Sequence, residues 1–142
     1  MDTFIGTKMV NATPMTRAEY NDFRGWQLPA DENGADAGYL VEYLDGGQPN
    51  TAEYAGYVSW SPKVQFEAAY LHVGDINHLP PHQQRVIGEK AQLDDRLTKL
   101  RAFLSGPAPD LVAADELARL ENQVAAMTQY TMTLAQRIAA FK

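Results

Sequence analysis

From residue 117 to residue 141, apolar side chains recur at alternating steps of three and four. Leu117, Val124, Thr131 and Ile138 form one seven-step series, and Leu120, Met127, Leu134 and Phe141 form the other. Two interleaved series of this kind are the seam of a helix packed along its length on another helix. The partner series stands just upstream, with Val86, Leu93 and Leu100 in one register and Leu97 and Leu104 in the second. Between the two runs, SGPAPD (105–110) supplies a helix stop and predicts a tight connection. Pro80-Pro81 opens the first helix. Residues 79–142 therefore predict an antiparallel two-helix hairpin.

The pattern ahead of it is different. Residues 3–12, TFIGTKMVNA, are rich in β-branched and apolar side chains and predict a first strand. Thr16 with Glu19 has the spacing of a capping box, which predicts a short helix ending at Gly25. After the turn-rich LPADENGADAG, Tyr39, Val41 and Tyr43 alternate with Leu40, Glu42 and Leu44, the period of a strand. GYVSW (56–60) predicts the next strand across a polar QPNTAEYA loop, and the pair forms a β-hairpin or neighbours in a small antiparallel sheet. Ser61-Pro62 has the pattern of an N-cap followed by proline at N1, starting a helix that sets Val64, Phe66 and Tyr70 near one side. The predicted fold is α+β: a small antiparallel β-sheet module over residues 1–78, then the helical hairpin over 79–142.

Composition narrows the chemistry. The 142 residues contain no cysteine, which removes disulfides, thiolate metal sites and thiol nucleophiles. The opening MDTFIGTKMV lacks the apolar run of a signal peptide, and no apolar stretch is long enough to cross a membrane, so a soluble protein is expected. The net charge of −6 is uneven. Residues 1–78 hold 4 basic and 11 acidic side chains, whereas 79–142 hold 8 basic and 7 acidic. Such a balance argues against duplex nucleic acid, where neutralising phosphates dominates affinity. His72, His78 and His82 cluster in sequence, but the Pro80-Pro81 break keeps the last two off a shared helical face. No metal site, cofactor or catalytic residue is expected, and the chain is expected not to be an enzyme.

Binding is better supported. Arg85, Arg96 and Arg101 offer guanidinium forks suited to phosphate oxygens and to stacking on purines; the alternative is surface ion pairing, for instance with Glu89 or Asp95. Gln83 and Lys90 occupy seam-type positions, where the hairpin either frays or opens into a polar pocket. Seven aromatic residues fall between Tyr39 and Tyr70. Most must form core, while one or two could stack a nucleobase at roughly 1–3 kcal/mol per base. From residue chemistry near the module boundary, Trp60, Phe66, Tyr70 and Asn77 join Arg85, Lys90, Arg96 and Arg101 as ligand-binding candidates. Apolar positions off the second seam, among them Tyr130, Met132, Ala135 and Ala139, require either the sheet of the same chain or another subunit to cover them.

The hairpin resembles the domain shared by phage-encoded anti-CBASS nucleotide sponges and the Thoeris anti-defence sponges. Glu89, Leu93, Leu97, Leu100 and Phe103-Leu104 carry the likeness on the first helix. On the second helix it is carried by Leu120, Gln123, Met127, Tyr130, Leu134, Arg137-Ile138 and Phe141. The GYLVEYLDGG and GYVSWSPKVQFEAAY segments look like a small β-module of prophage proteins, and a β-module ahead of the hairpin is the Thoeris anti-defence arrangement. The resemblance implies a counter-defence protein of the host cytoplasm, a dimer or hexamer that sequesters glycocyclic ADP-ribose without cleaving it. Two other expectations stand beside this: a sponge for cyclic di- or trinucleotides using the hairpins alone, and a phage adaptor or oligomerisation protein with no small ligand.

Overall fold

The computed structural model describes residues 1–142. The chain divides into two compact units, Met1–Tyr70 and Leu71–Lys142.

In the first unit, Thr16 fixes where the helix α1 (Arg17–Arg24) begins, immediately after the strand β1 (Val10–Pro14). The Thr16 hydroxyl accepts the Glu19 amide at 3.2 Å, and the Glu19 carboxylate accepts the Thr16 amide at 2.7 Å. This reciprocal box satisfies two donors that a helix start otherwise leaves open. Gly25, at φ 68°, ends the helix in the left-handed conformation that glycine adopts without a Cβ penalty. Its amide donates to the Asp22 carbonyl, and the Trp26 amide donates to that of Asn21.

Strands β1, β2 (Gly38–Tyr43) and β3 (Val58–Pro62) form a three-stranded antiparallel sheet in that order. β1 is shorter than the 3–12 strand expected from sequence. Its first pair is Val10 with Tyr43, and β2 ends at Tyr43, so residues before Val10 have no strand to pair with. Phe4 and Ile5 are correspondingly exposed. The register sets Leu40 opposite Trp60 on one face and Tyr39 opposite Ser61 on the other. Leu40, Val58 and Tyr20 make the core of the α1 side, with Met15, Phe23, Tyr54 and Trp60 packed around them.

Gly38 is required where it stands, because a Cβ there would lie 2.4 Å from the Trp60 ring and 2.5 Å from the Ser61 carbonyl. The indole can therefore lie over β2 and donate to the Met15 carbonyl at 2.8 Å. The long loop before β3 is pinned by Asn50, whose side-chain amide pairs with both backbone groups of Val58 at 2.8 Å. β3 runs straight into α2 (Lys63–Ala69). The N-cap is Pro62, not Ser61, since Ser61 and Pro62 still pair with β2 as strand residues. Phe66 and Tyr70 turn toward the sheet, while Val64 is exposed, contrary to the expected shared side.

The second unit is the hairpin: α3 (Pro81–Ser105) and α5 (Ala114–Ala139), antiparallel to it. Proline at the first helical position starts α3 without losing a hydrogen bond, and its 25 residues span about 38 Å. The connection is not the tight turn expected. It contains a further helical turn, α4 (Ala108–Leu111), on which Ala108 is fully buried. Val86, Leu93 and Leu97 of α3 meet Met127 and Leu134 of α5, flanked by Leu100, Val124, Ile138 and Phe141. The core is thus built from the predicted seam, while the seam members Leu104, Leu117 and Leu120, nearest the connection, are only partly buried and lie outside that cluster. No helix is long and apolar enough to cross a membrane.

Candidate functional site

The hairpin seam carries polar rungs between its apolar layers. Lys90 takes a core-type position, and its ammonium reaches the Asp94 carboxylate at 2.6 Å one turn along α3. The Thr131 hydroxyl donates to the same carboxylate from α5. Together Lys90, first, and Thr131 hold Asp94 below the usual carboxylate pKa. One turn outward, the Tyr130 hydroxyl donates to Glu89. Further along, Arg101 donates to the Thr128 hydroxyl at 2.8 Å, and Thr128 in turn donates to the Val124 carbonyl at 2.7 Å. Lys90 therefore closes the seam at this level instead of fraying from it, and Arg101 ties the two helices.

Arg85 and Arg96 are different. Both are exposed and neither has a carboxylate within 4.0 Å. The acids expected to pair with them are engaged elsewhere, Asp95 with Lys99 at 2.8 Å and Glu89 with Tyr130. α3 thus presents two uncommitted guanidinium groups, each able to grip a phosphate with two parallel N–H bonds. Asn77 lies in the irregular segment before α3, where its backbone and side-chain amides both donate to Asp75 at 3.2 Å. Those bonds lower the Asp75 pKa and occupy the donors of Asn77.

The aromatic candidates separate into two groups. Phe66 stacks on Tyr39 with centroids 4.3 Å apart and on Tyr70 at 4.8 Å. The Tyr39 hydroxyl donates to Glu67 at 2.8 Å, which raises the phenol pKa. Trp60 faces the other side of the sheet, in register with Leu40, and does not join that stack.

Trp60 instead lines an open hollow of about 560 Å³ that sequence reasoning missed. The Arg17 guanidinium lies 4.4 Å from the Trp60 ring centroid, and that of Arg24 lies 4.2 Å from the Trp26 ring. Arg24 also donates to the Tyr20 hydroxyl at 2.9 Å. Only the α1 wall has a signal in the spacing: positions 17, 20 and 24 share one helical face, and Trp26 follows the glycine cap. His72, His78 and His82 are exposed, and no three His, Cys, Asp or Glu side chains converge as metal ligands do.

Residues 80–140 match the family described as Sequestin. The hairpin is thus the part of the chain that resembles Sequestin. The match begins just ahead of α3 and ends just after α5, so it covers the whole seam and its polar rungs. The two uncommitted arginines of α3, Arg85 and Arg96, fall inside it. The family's name denotes sequestration. No curated protein and no solved structure matches the chain.

Proposed function

We propose that the protein is a phage counter-defence sponge that captures a cyclic ADP-ribose isomer, glycocyclic ADP-ribose, in the host cytoplasm and withholds it from Thoeris immunity. The observation that carries this reading is a hairpin matching Sequestin whose helix α3 presents two exposed arginines, Arg85 and Arg96, with neither an acidic nor a hydrogen-bond partner. A pyrophosphate offers several anionic oxygens, and Arg85 and Arg96 supply matching N–H forks at no cost in broken ion pairs. The ligand is held and not turned over, so the protein works by mass action. Holding a signal at nanomolar concentration takes about 12 kcal/mol of binding free energy. Homo-oligomers, dimers or hexamers, would gather the arginines of several hairpins on one ligand.

A second reading is favoured by the extent of the match, which includes the hairpin alone. A sponge for cyclic di- or trinucleotides would need nothing beyond it. Native mass spectrometry of the full chain, with glycocyclic ADP-ribose and separately with cyclic di- and trinucleotides, decides between them. The expected result is intact glycocyclic ADP-ribose retained at a fixed ratio per subunit, with the oligomer visible in the same spectrum. Retention of cyclic oligonucleotides alone would transfer the assignment to the second reading. An oligomer that holds neither would leave the adaptor role expected from sequence.

A further inference from the structure

The hollow on the α1 side of the sheet lies outside the Sequestin match, and the sponge reading makes no use of it. Its wall has an unusual charge for its surroundings. Residues 1–70 carry 4 basic and 10 acidic side chains, yet two of the four basic ones, Arg17 and Arg24, line this hollow against a single carboxylate, Glu32. Arg17 is ion-paired with both Glu32 at 3.3 Å and Asp36 at 3.6 Å, whereas Arg24 has no carboxylate in ion-pair range. The Arg17 Nε is shielded from solvent and has no hydrogen-bond partner, Asp36 lying 3.6 Å away.

The aromatic part is equally specific. Trp26 is 53% exposed although it is a large apolar residue. It is not loose, because the Gly25 cap directs the chain, Arg24 covers one face of the ring and Tyr20 meets it edge-on at 6.0 Å. Arg24 sits over the indole and gives one N–H to Tyr20, which leaves its other N–H groups available for an anion. A ring face held open beside such an arginine suits a planar base. The amide-bearing Asn21 and Gln27 on the same wall can hydrogen-bond a base edge. The volume falls within the range of small-molecule sites.

We propose that this hollow is a second binding site, independent of the hairpin, for a nucleoside monophosphate: one planar base against Trp26 and one phosphate on Arg24, with Arg17 behind it. The single guanidinium without a carboxylate partner, Arg24, matches one phosphate group better than a pyrophosphate. Both tryptophans of the chain line the hollow, so indole signals report on it alone.

The test is a titration of the full-length protein with AMP, followed by tryptophan fluorescence and by the two indole N–H resonances in NMR. Adenosine and inorganic phosphate serve as separate titrants. The expected result is a saturable response to AMP, at least about tenfold weaker for adenosine or phosphate alone, and weakened at least tenfold by Arg24→Gln. The double variant Arg85→Ala, Arg96→Ala should leave the AMP response intact, which separates this site from the fate of the sponge reading. Absence of any saturable indole response up to about 1 mM AMP would overturn the proposal. An unchanged response in Arg24→Gln, or an equal one to phosphate alone, would do so as well.

Discussion

Asp94 joins two side chains, one on each helix, and its carboxylate is held charged by Lys90 and by the Thr131 hydroxyl. Its folded pKa lies below the unfolded value, so the stabilisation is complete above about pH 4 and is lost as pH falls through the folded value. The side chain is 42% exposed, and solvent screening keeps its contribution below about 1 kcal/mol. Asp94→Asn should therefore lower the melting temperature of the hairpin by a few degrees at pH 7. As pH falls through the folded value the gap between the two proteins should close. Circular-dichroism melts across that range check this, and a constant gap at all pH values would show that packing rather than charge sets the effect. Lys90 stands out in the sequence as a polar residue at a seam position, which makes it legible there. Its partner is not, because an i,i+4 acid on the same helix becomes informative only once Thr131 is seen to reach it from α5.

Elements whose signals are local can be read from the chain itself. The seam of α3 and α5 rests on a repeat within each helix, and the start of α1 rests on two residues three apart; both form where the spacing places them. Elements whose limits depend on a distant strand cannot be read in this way. β1 ends its pairing where β2 runs out, and Pro62 stays in β3 because β2 pairs with it, facts absent from the β1 and β3 segments themselves. The hollow escapes sequence reasoning for the same reason. Arg17 and Trp60 belong to different elements, and only the fold sets one over the other. The seam also carries a quantitative expectation. Leu134 is 1% exposed at its centre, so Leu134→Ala should cost about 2–5 kcal/mol through lost burial and the cavity left behind. Met132, two residues away and 52% exposed, should change stability by no more than about 0.5 kcal/mol when cut to alanine in the isolated subunit. Urea unfolding of both variants, followed by helical circular dichroism, measures the contrast. Similar losses would mean that the outer face of α5 is also packed, as an oligomer would require.

At the scale of the whole molecule, a sponge and an enzyme differ in how their effect depends on amount. A protein that holds its ligand and releases it unchanged must be present at least in proportion to the signal it removes, whereas a hydrolase clears any amount given time. With glycocyclic ADP-ribose in fixed quantity, free signal should fall linearly with added protein and reach its floor at one stoichiometric point. Longer incubation should not move that point, and heat denaturation should return the ligand with its mass unaltered. Binding to the folded state alone also raises stability, by about 2.7 kcal/mol at a ligand concentration one hundred times Kd. The melting transition should therefore climb with ligand. On the proposed reading, Arg85→Ala and Arg96→Ala would each remove a charge-assisted pair worth about 1.5–3 kcal/mol, so each should weaken retention roughly ten- to a hundredfold. Because both side chains are exposed and unpaired, the unliganded melting temperature should stay where it was. A variant that lost retention together with unliganded stability would place these arginines in the fold and not in the grip on the ligand.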